Sequence, residues 1–97
     1  MAEVLEPAAV RAALAGMPDW SGDSGAIART AQLPTFPDAI AVVTRVATVA
    51  EEMDHHPDID IRWRNLTFRC RTHSAGGTTQ LDIDLARRID EIIAAQS

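Results

Sequence analysis

Asp58-Ile59-Asp60-Ile61-Arg62-Trp63-Arg64-Asn65-Leu66-Thr67-Phe68-Arg69-Cys70-Arg71 decides the fold. Ile59, Ile61 and Trp63 alternate with Asp58, Asp60, Arg62 and Arg64. Beyond a turn near Arg64-Asn65, Leu66, Phe68 and Cys70 alternate in the same way with Thr67, Arg69 and Arg71. A period of two marks half-buried strands, and two such runs joined by a tight turn predict an antiparallel hairpin with one face on a core.

The flanking sequence keeps a different period. Upstream, Asp38 to about Asp54 carries Ile40, Val43, Val46, Ala47, Ala50 and Met53 at spacings of three and four, which predicts a helix with one broad apolar face. Pro34 and Pro37 bracket Phe36 ahead of it, and Pro57 ends it by pushing the preceding residue out of helical geometry. Downstream, Gly76-Gly77 supplies a loop, and Thr79 with Asp82 resembles a capping box. A last helix from about Gln80 to Ala95 then buries Ile83, Ala86, Ile89, Ile92 and Ile93.

Toward the N-terminus, Ala26 to Leu33 reads as a strand with Ile27, Ala31 and Leu33 inward and Arg29 interrupting that inner face. Gly22-Asp23-Ser24-Gly25 turns the chain back on a very short strand next to Trp20. A first helix over about Pro7 to Ala15 follows from the stripe of Val4, Leu5, Val10 and Leu14, with Glu6 as a cap and Pro7 at the first helical position. The summed order, α-β-β-α-β-β-α, predicts an α+β fold in which helices pack on one face of a four-stranded antiparallel sheet. Residues 1–97 form one domain.

Composition narrows the chemistry. With 46% apolar and 24% charged residues the chain has the balance of a folded soluble domain. Its net charge of -5 is a poor basis for neutralising phosphates, which excludes nucleic acid and anionic membranes as direct partners. Every basic residue is arginine, so lysine Schiff bases are excluded, and the absence of tyrosine excludes phenol acid/base chemistry. Cys70 is alone, leaving no internal disulfide and no cysteine zinc cage. No basic-then-apolar leader opens the sequence and no apolar run approaches the roughly 20 residues of a membrane span, so a soluble cytoplasmic protein is expected. The side chains left to move protons near neutral pH are His55, His56 and His73.

Two of these stand in Glu51-Glu52-Met53-Asp54-His55-His56-Pro57-Asp58, at the end of the long helix, and His73 is expected to end the fourth strand. As a solvated helix terminus the run needs only the pairs Glu51 with His55 and Glu52 with His56, together with the attraction of imidazolium for the negative helix end. The same surroundings suit a histidine to acid catalysis. Metal ligation fits less well, because adjacent histidines diverge and no histidine pair has the i,i+4 helical spacing. Ser74 lacks the strand-turn-helix elbow of a serine nucleophile, and Gly76 to Thr79 lacks the full phosphate-loop pattern.

Glu51-x-x-Asp54-His55-His56-Pro57, with Trp63, Thr72-His73, Gly77 and Asp82 following, resembles the signature of pterin-4a-carbinolamine dehydratases, also called 4a-hydroxytetrahydrobiopterin dehydratases. Trp20, Phe36, Val43-Thr44-Arg45-Val46-Ala47 and Asp84-Leu85-Ala86 extend the resemblance over about residues 3–95. It departs from the pattern at Trp63, where tyrosine is common, at Ile59, where an aromatic is frequent in animal members, and at Thr78, where leucine is frequent.

The resemblance implies removal of water from a 4a-hydroxytetrahydropterin, giving quinonoid dihydropterin without any metal or organic cofactor. It implies catalytic roles for His55, His56 and His73, with His55 and His73 as the proton-transfer pair and His56 contacting the pterin. Glu51 and Asp54 would orient or charge the histidines, and Asp82 would hold His73 or its loop. Pro57, Trp63 and Thr72 belong to the binding or orienting set, although Trp63 reads as core from its place on the apolar side of its strand. Which histidine is acid and which base stays open. The resemblance further implies a homodimer or homotetramer and a functional link to an aromatic amino acid hydroxylase. Relatives that act as a dimerisation cofactor or an assembly chaperone supply the alternative, a protein-binding module.

Overall fold

The alternating run forms the expected hairpin. In the structure, a computed structural model that describes residues 2–97, β3 (Asp58–Arg62) and β4 (Asn65–Cys70) pair antiparallel from Asp58 opposite Arg69 to Arg62 opposite Asn65. With β1 (Ser21–Gly22) and β2 (Ile27–Gln32) they make a four-stranded antiparallel sheet in the order β1-β2-β4-β3. β2 therefore lies against β4, with Ile27 opposite Cys70 and Gln32 opposite Asn65. The inward residues Leu66, Phe68 and Cys70 of this central strand are sealed from solvent, and so is Ile27 beside them.

Three helices, α1 (Pro7–Ala15), α2 (Phe36–Met53) and α3 (Gln80–Gln96), cover that inner face. Polar side chains remain on the other, where the hydroxyls of Thr30 and Thr67 meet at 2.9 Å across β2 and β4. α3 buries Ile83, Ala86, Ile89, Ile92 and Ile93, the stripe read from its period. α1 also has its predicted bounds, and Glu6 occupies its N-cap position without a side-chain capping bond.

The inner face of α2 is rotated from the expected stripe. Ala39, Val42, Val46, Val49 and Ala50 face the core, whereas Ile40 is 39% exposed and Ala47 faces solvent. Apolar residues spread over more than half of this helix, so its period alone allows two stripes. The helix also starts earlier, at Phe36, because the Thr35 hydroxyl accepts the Asp38 N–H at 3.2 Å and Pro37 fits the first turn.

Arg29 does interrupt the inner face. Its guanidinium reaches Asp90 of α3 at 2.6 Å, and the same carboxylate oxygen accepts the Trp20 indole N–H at 2.7 Å. Trp63, in contrast, leaves the core. The alternation stops at Arg62, Trp63 adopts a left-handed conformation with φ 55° to open the turn, and its ring is 65% exposed beneath the Arg64 guanidinium.

Candidate active site

α2 ends in a reversal that separates two neighbouring histidines. Asp54 takes φ 49° and ψ 45°, a left-handed cap that aspartate tolerates better than most residues, and the His55 N–H folds back to the Ala50 carbonyl at 3.0 Å. His55 turns inward and is 8% exposed; His56 turns out to solvent. The helical pairs expected from the sequence are consequently absent. Glu51 pairs with His56 Nε2 instead of His55, and Glu52 lies 4.0 Å from Arg88.

His55 Nε2 lies 2.6 Å from Oδ1 of Asp82, which is 0% exposed in the first turn of α3. The other oxygen, Oδ2, accepts the Thr72 hydroxyl at 2.9 Å and the Thr79 backbone N–H at 2.8 Å. Thr72 and Thr79 hydroxyls meet at 2.7 Å, and Thr79 Oγ1 accepts the Leu81 N–H at 3.2 Å. A carboxylate in the first turn also complements the positive end of the helix dipole. Asp82 therefore holds His55 and, through Thr72, the start of the glycine loop. It does not hold His73 directly.

β4 stops at Cys70, so His73 stands beyond the strand, exposed in a turn closed by the Thr72 N–H to Gly77 carbonyl bond at 3.0 Å. That turn is seated on the β1–β2 turn. Thr78 donates its backbone N–H to Ser24 O at 2.8 Å and its hydroxyl to Asp23 O at 2.7 Å, and a Cβ on Gly77 would run into the Ser24 carbonyl. Pro57 directs the chain from the histidines into β3. Asp54 contributes through its backbone, with no side-chain hydrogen bond among the described residues. Trp63 is not gathered here: five residues beyond Asp58, it is roughly 16 Å along the hairpin at the usual strand rise.

Burial pushes the Cys70 thiol up to about 12, with the charges of Asp82 and Asp58 adding to the effect, so it is inert near neutral pH. Among the described residues no three His, Cys, Asp or Glu side chains converge to hold a metal ion, and no helix is long and apolar enough to cross a membrane. Thr79 is the site residue that sequence reasoning missed: the capping pattern revealed its backbone role, while its hydroxyl contact with Thr72 exists only after folding.

Comparison with known proteins places this arrangement. Residues 3–92 match the model of a family described as pterin 4 alpha carbinolamine dehydratase. The chain belongs to that family. A Nocardia farcinica protein named as a candidate pterin-4-alpha-carbinolamine dehydratase is 56% identical over 90 residues, covering 93% of this chain and 95% of its own. A Mycolicibacterium smegmatis protein of the same name is 50% identical over 91 residues, 94% and 97% of the two chains.

Among solved structures, the transcriptional coactivator/pterin dehydratase of Brucella melitensis superposes with a TM-score of 0.88 at 30% identity, over 92% of this chain and 97% of that one. A pterin dehydratase-like RuBisCO assembly factor of the alpha-carboxysome superposes with a TM-score of 0.63 at 16% identity, over 76% and 86%, and shares the fold. In this member of the carbinolamine dehydratase family, a buried carboxylate–imidazole pair lies beside a second histidine and a histidine-bearing turn. Such a set can bind a polar ring and hand protons to and from it.

Proposed function

We propose that this chain converts a 4a-hydroxytetrahydropterin to quinonoid dihydropterin and water. The observation that carries the reading is the pairing of His55 with sealed Asp82, with His56 on the adjoining helix end and His73 one residue beyond Thr72, a ligand of the same carboxylate. Family membership and the Brucella relative's name support it. In the reaction the C4a–O bond breaks, the hydroxyl takes a proton and leaves as water, the N5 lone pair forms the C4a=N5 bond, and the N5 proton passes to a base.

His55 and His73 exchange these protons, and His56, held by Glu51, contacts the pterin. The ring's own electrons expel the hydroxyl, so the reaction calls on no metal or organic cofactor. The protein works in the cytoplasm beside an aromatic amino acid hydroxylase whose spent pterin it returns for reduction.

The test is dehydration followed by ultraviolet absorbance in a coupled hydroxylase reaction. The protein should outpace buffer, and His73→Ala should lose about 10²- to 10⁴-fold in rate while its unfolding midpoint hardly moves, since His73 is exposed. Wild-type protein no faster than buffer would sink the reading.

Exposed apolar side chains favour an added interaction role. Phe36 and Ile40 on α2, and Ile61 on the outermost strand, face solvent. The outer edge of β3, which has no neighbouring strand among the described residues, and this helix face fit assembly into a homodimer or homotetramer. A monomer by light scattering at micromolar concentration would contradict assembly. A stoichiometric foreign partner together with absent pterin turnover would instead make the chain a protein-binding module.

A further inference from the structure

The hydrogen bonds around Asp82 have only one consistent direction. An ionised carboxylate offers acceptors alone, so Thr72 must give its single hydroxyl hydrogen to Oδ2. In the 2.7 Å contact between the two threonines, Thr79 is therefore the donor. Thr79 can spare that hydrogen because its oxygen is used as an acceptor by the Leu81 N–H. At the other oxygen the 2.6 Å contact requires a hydrogen on His55 Nε2. This holds whether the ring is neutral or charged, so His55 gains and loses its proton at Nδ1. That atom has no partner among the described residues, and it is not one of the side-chain nitrogens sealed from solvent without one.

We propose that Thr79 is a positioning residue: through Thr72 its hydroxyl holds the Asp82 carboxylate in the orientation that accepts from His55 Nε2, so that Asp82 keeps the ring in the Nε2–H tautomer and Nδ1 is left as the proton-exchanging atom. Resting on the dehydration proposed above, this makes neutral His55 the base that takes the N5 proton, forming an imidazolium that Asp82 stabilises. His73, free in its turn, delivers the proton to the departing C4a hydroxyl. The two histidines return to their starting states when the proton gained at His55 passes through water to His73. The chain thus joins a helix cap to the choice of reactive nitrogen: the hydroxyl that helps start α3 also orders the carboxylate.

The experiment measures imidazole nitrogens by long-range proton–nitrogen correlation on uniformly labelled protein at about pH 8.5, above the ordinary histidine range. It is paired with steady-state kinetics. Wild type should show His55 as the Nε2–H tautomer. Thr79→Val should mix the two tautomers and lower kcat by about 10- to 100-fold with little change in KM, the scale seen when outer-shell partners are removed. Thr79→Ser should restore both.

Thr72→Val breaks the same link while leaving both capping residues, Thr79 and Asp82, and their bonds to the helix backbone in place, and it should reproduce the mixed tautomer even if Thr79→Val proves too unstable to study. An Nδ1–H tautomer in wild type overturns the proposal. So does unchanged His55 signature in both valine variants. The predicted tautomer in a wild-type protein without turnover upholds the positioning chain and overturns the role of His55 as base along with the dehydratase reading.

Discussion

Asp82 and Asp90 lie on the same helix and both fasten it to the sheet side of the molecule, yet they do different work. Asp90 accepts from the Trp20 indole and the Arg29 guanidinium at 2.7 and 2.6 Å. Neither donor changes charge near neutral pH, so this link is constant and serves packing: it gives an arginine on the inner sheet face its counter-charge. Asp82 is more deeply buried and binds a histidine, whose charge can change and whose second nitrogen is reachable. The difference teaches that fastening a helix does not by itself mark a carboxylate as part of a site; a donor of the kind that can change charge near neutral pH does.

Removing each carboxylate should separate the two roles. Asp82→Ala strands a buried backbone N–H, a hydroxyl and an imidazole, and is expected to cost about 3 kcal/mol in urea unfolding and about 10²- to 10⁴-fold in turnover. Asp90→Ala leaves Arg29 without its 2.6 Å partner. The side chains of that pair are 15% and 30% exposed, so the cost should fall below the range for a fully buried pair, at about 2 kcal/mol. Turnover per folded molecule should stay within about twofold. Loss of turnover in folded Asp90→Ala would break the contrast.

Cys70 gives a finer reading. Sealed at 0% exposure, the thiol should react with an aromatic disulfide only when the chain opens, so Asp82→Asn, which weakens the fold more, should speed the reaction more than Asp90→Asn does. The smallest effect belongs to the surface carboxylate of Asp38, which bonds to the Thr35 hydroxyl and the Gln96 amide lower below 3.8. A depressed carboxyl stabilises the fold above its unfolded value and loses that contribution as pH falls through the folded one. The stability deficit of Asp38→Asn should therefore be present at pH 7 and shrink as pH falls below 3.8.

The sequence displayed the elements more fully than their meeting points. The alternation from Asp58 to Cys70, the prolines around Phe36 and the Thr79–Asp82 spacing are local, and each produced the element it predicted. The strand order is not local: β2 lies beside β4 because both must bury one face under the helices. Trp63 misled because alternation holds only while the chain stays extended, and its left-handed turn begins one residue after Arg62. At the site, all three histidines were visible. The partner of His55 was not, since 27 residues separate it from Asp82 and the helix ending at Asp54 redirects the pairing. Arg29 was marked as an anomaly on its strand, but Asp90, 61 residues away, could not be matched to it before folding.

The left-handed Asp54 acts as a fixed corner, and it makes the spacing of this segment unforgiving to insertions and deletions. Because the reversal sends the next residue inward and the following one outward, losing one residue after Asp54 would bring His56 to the inner place and Pro57 to the outer. Adding one would move a histidine into the position of the proline that enters β3. Point substitutions here alter one contact at a time, whereas a shift of a single position displaces the buried and exposed members of the pair together.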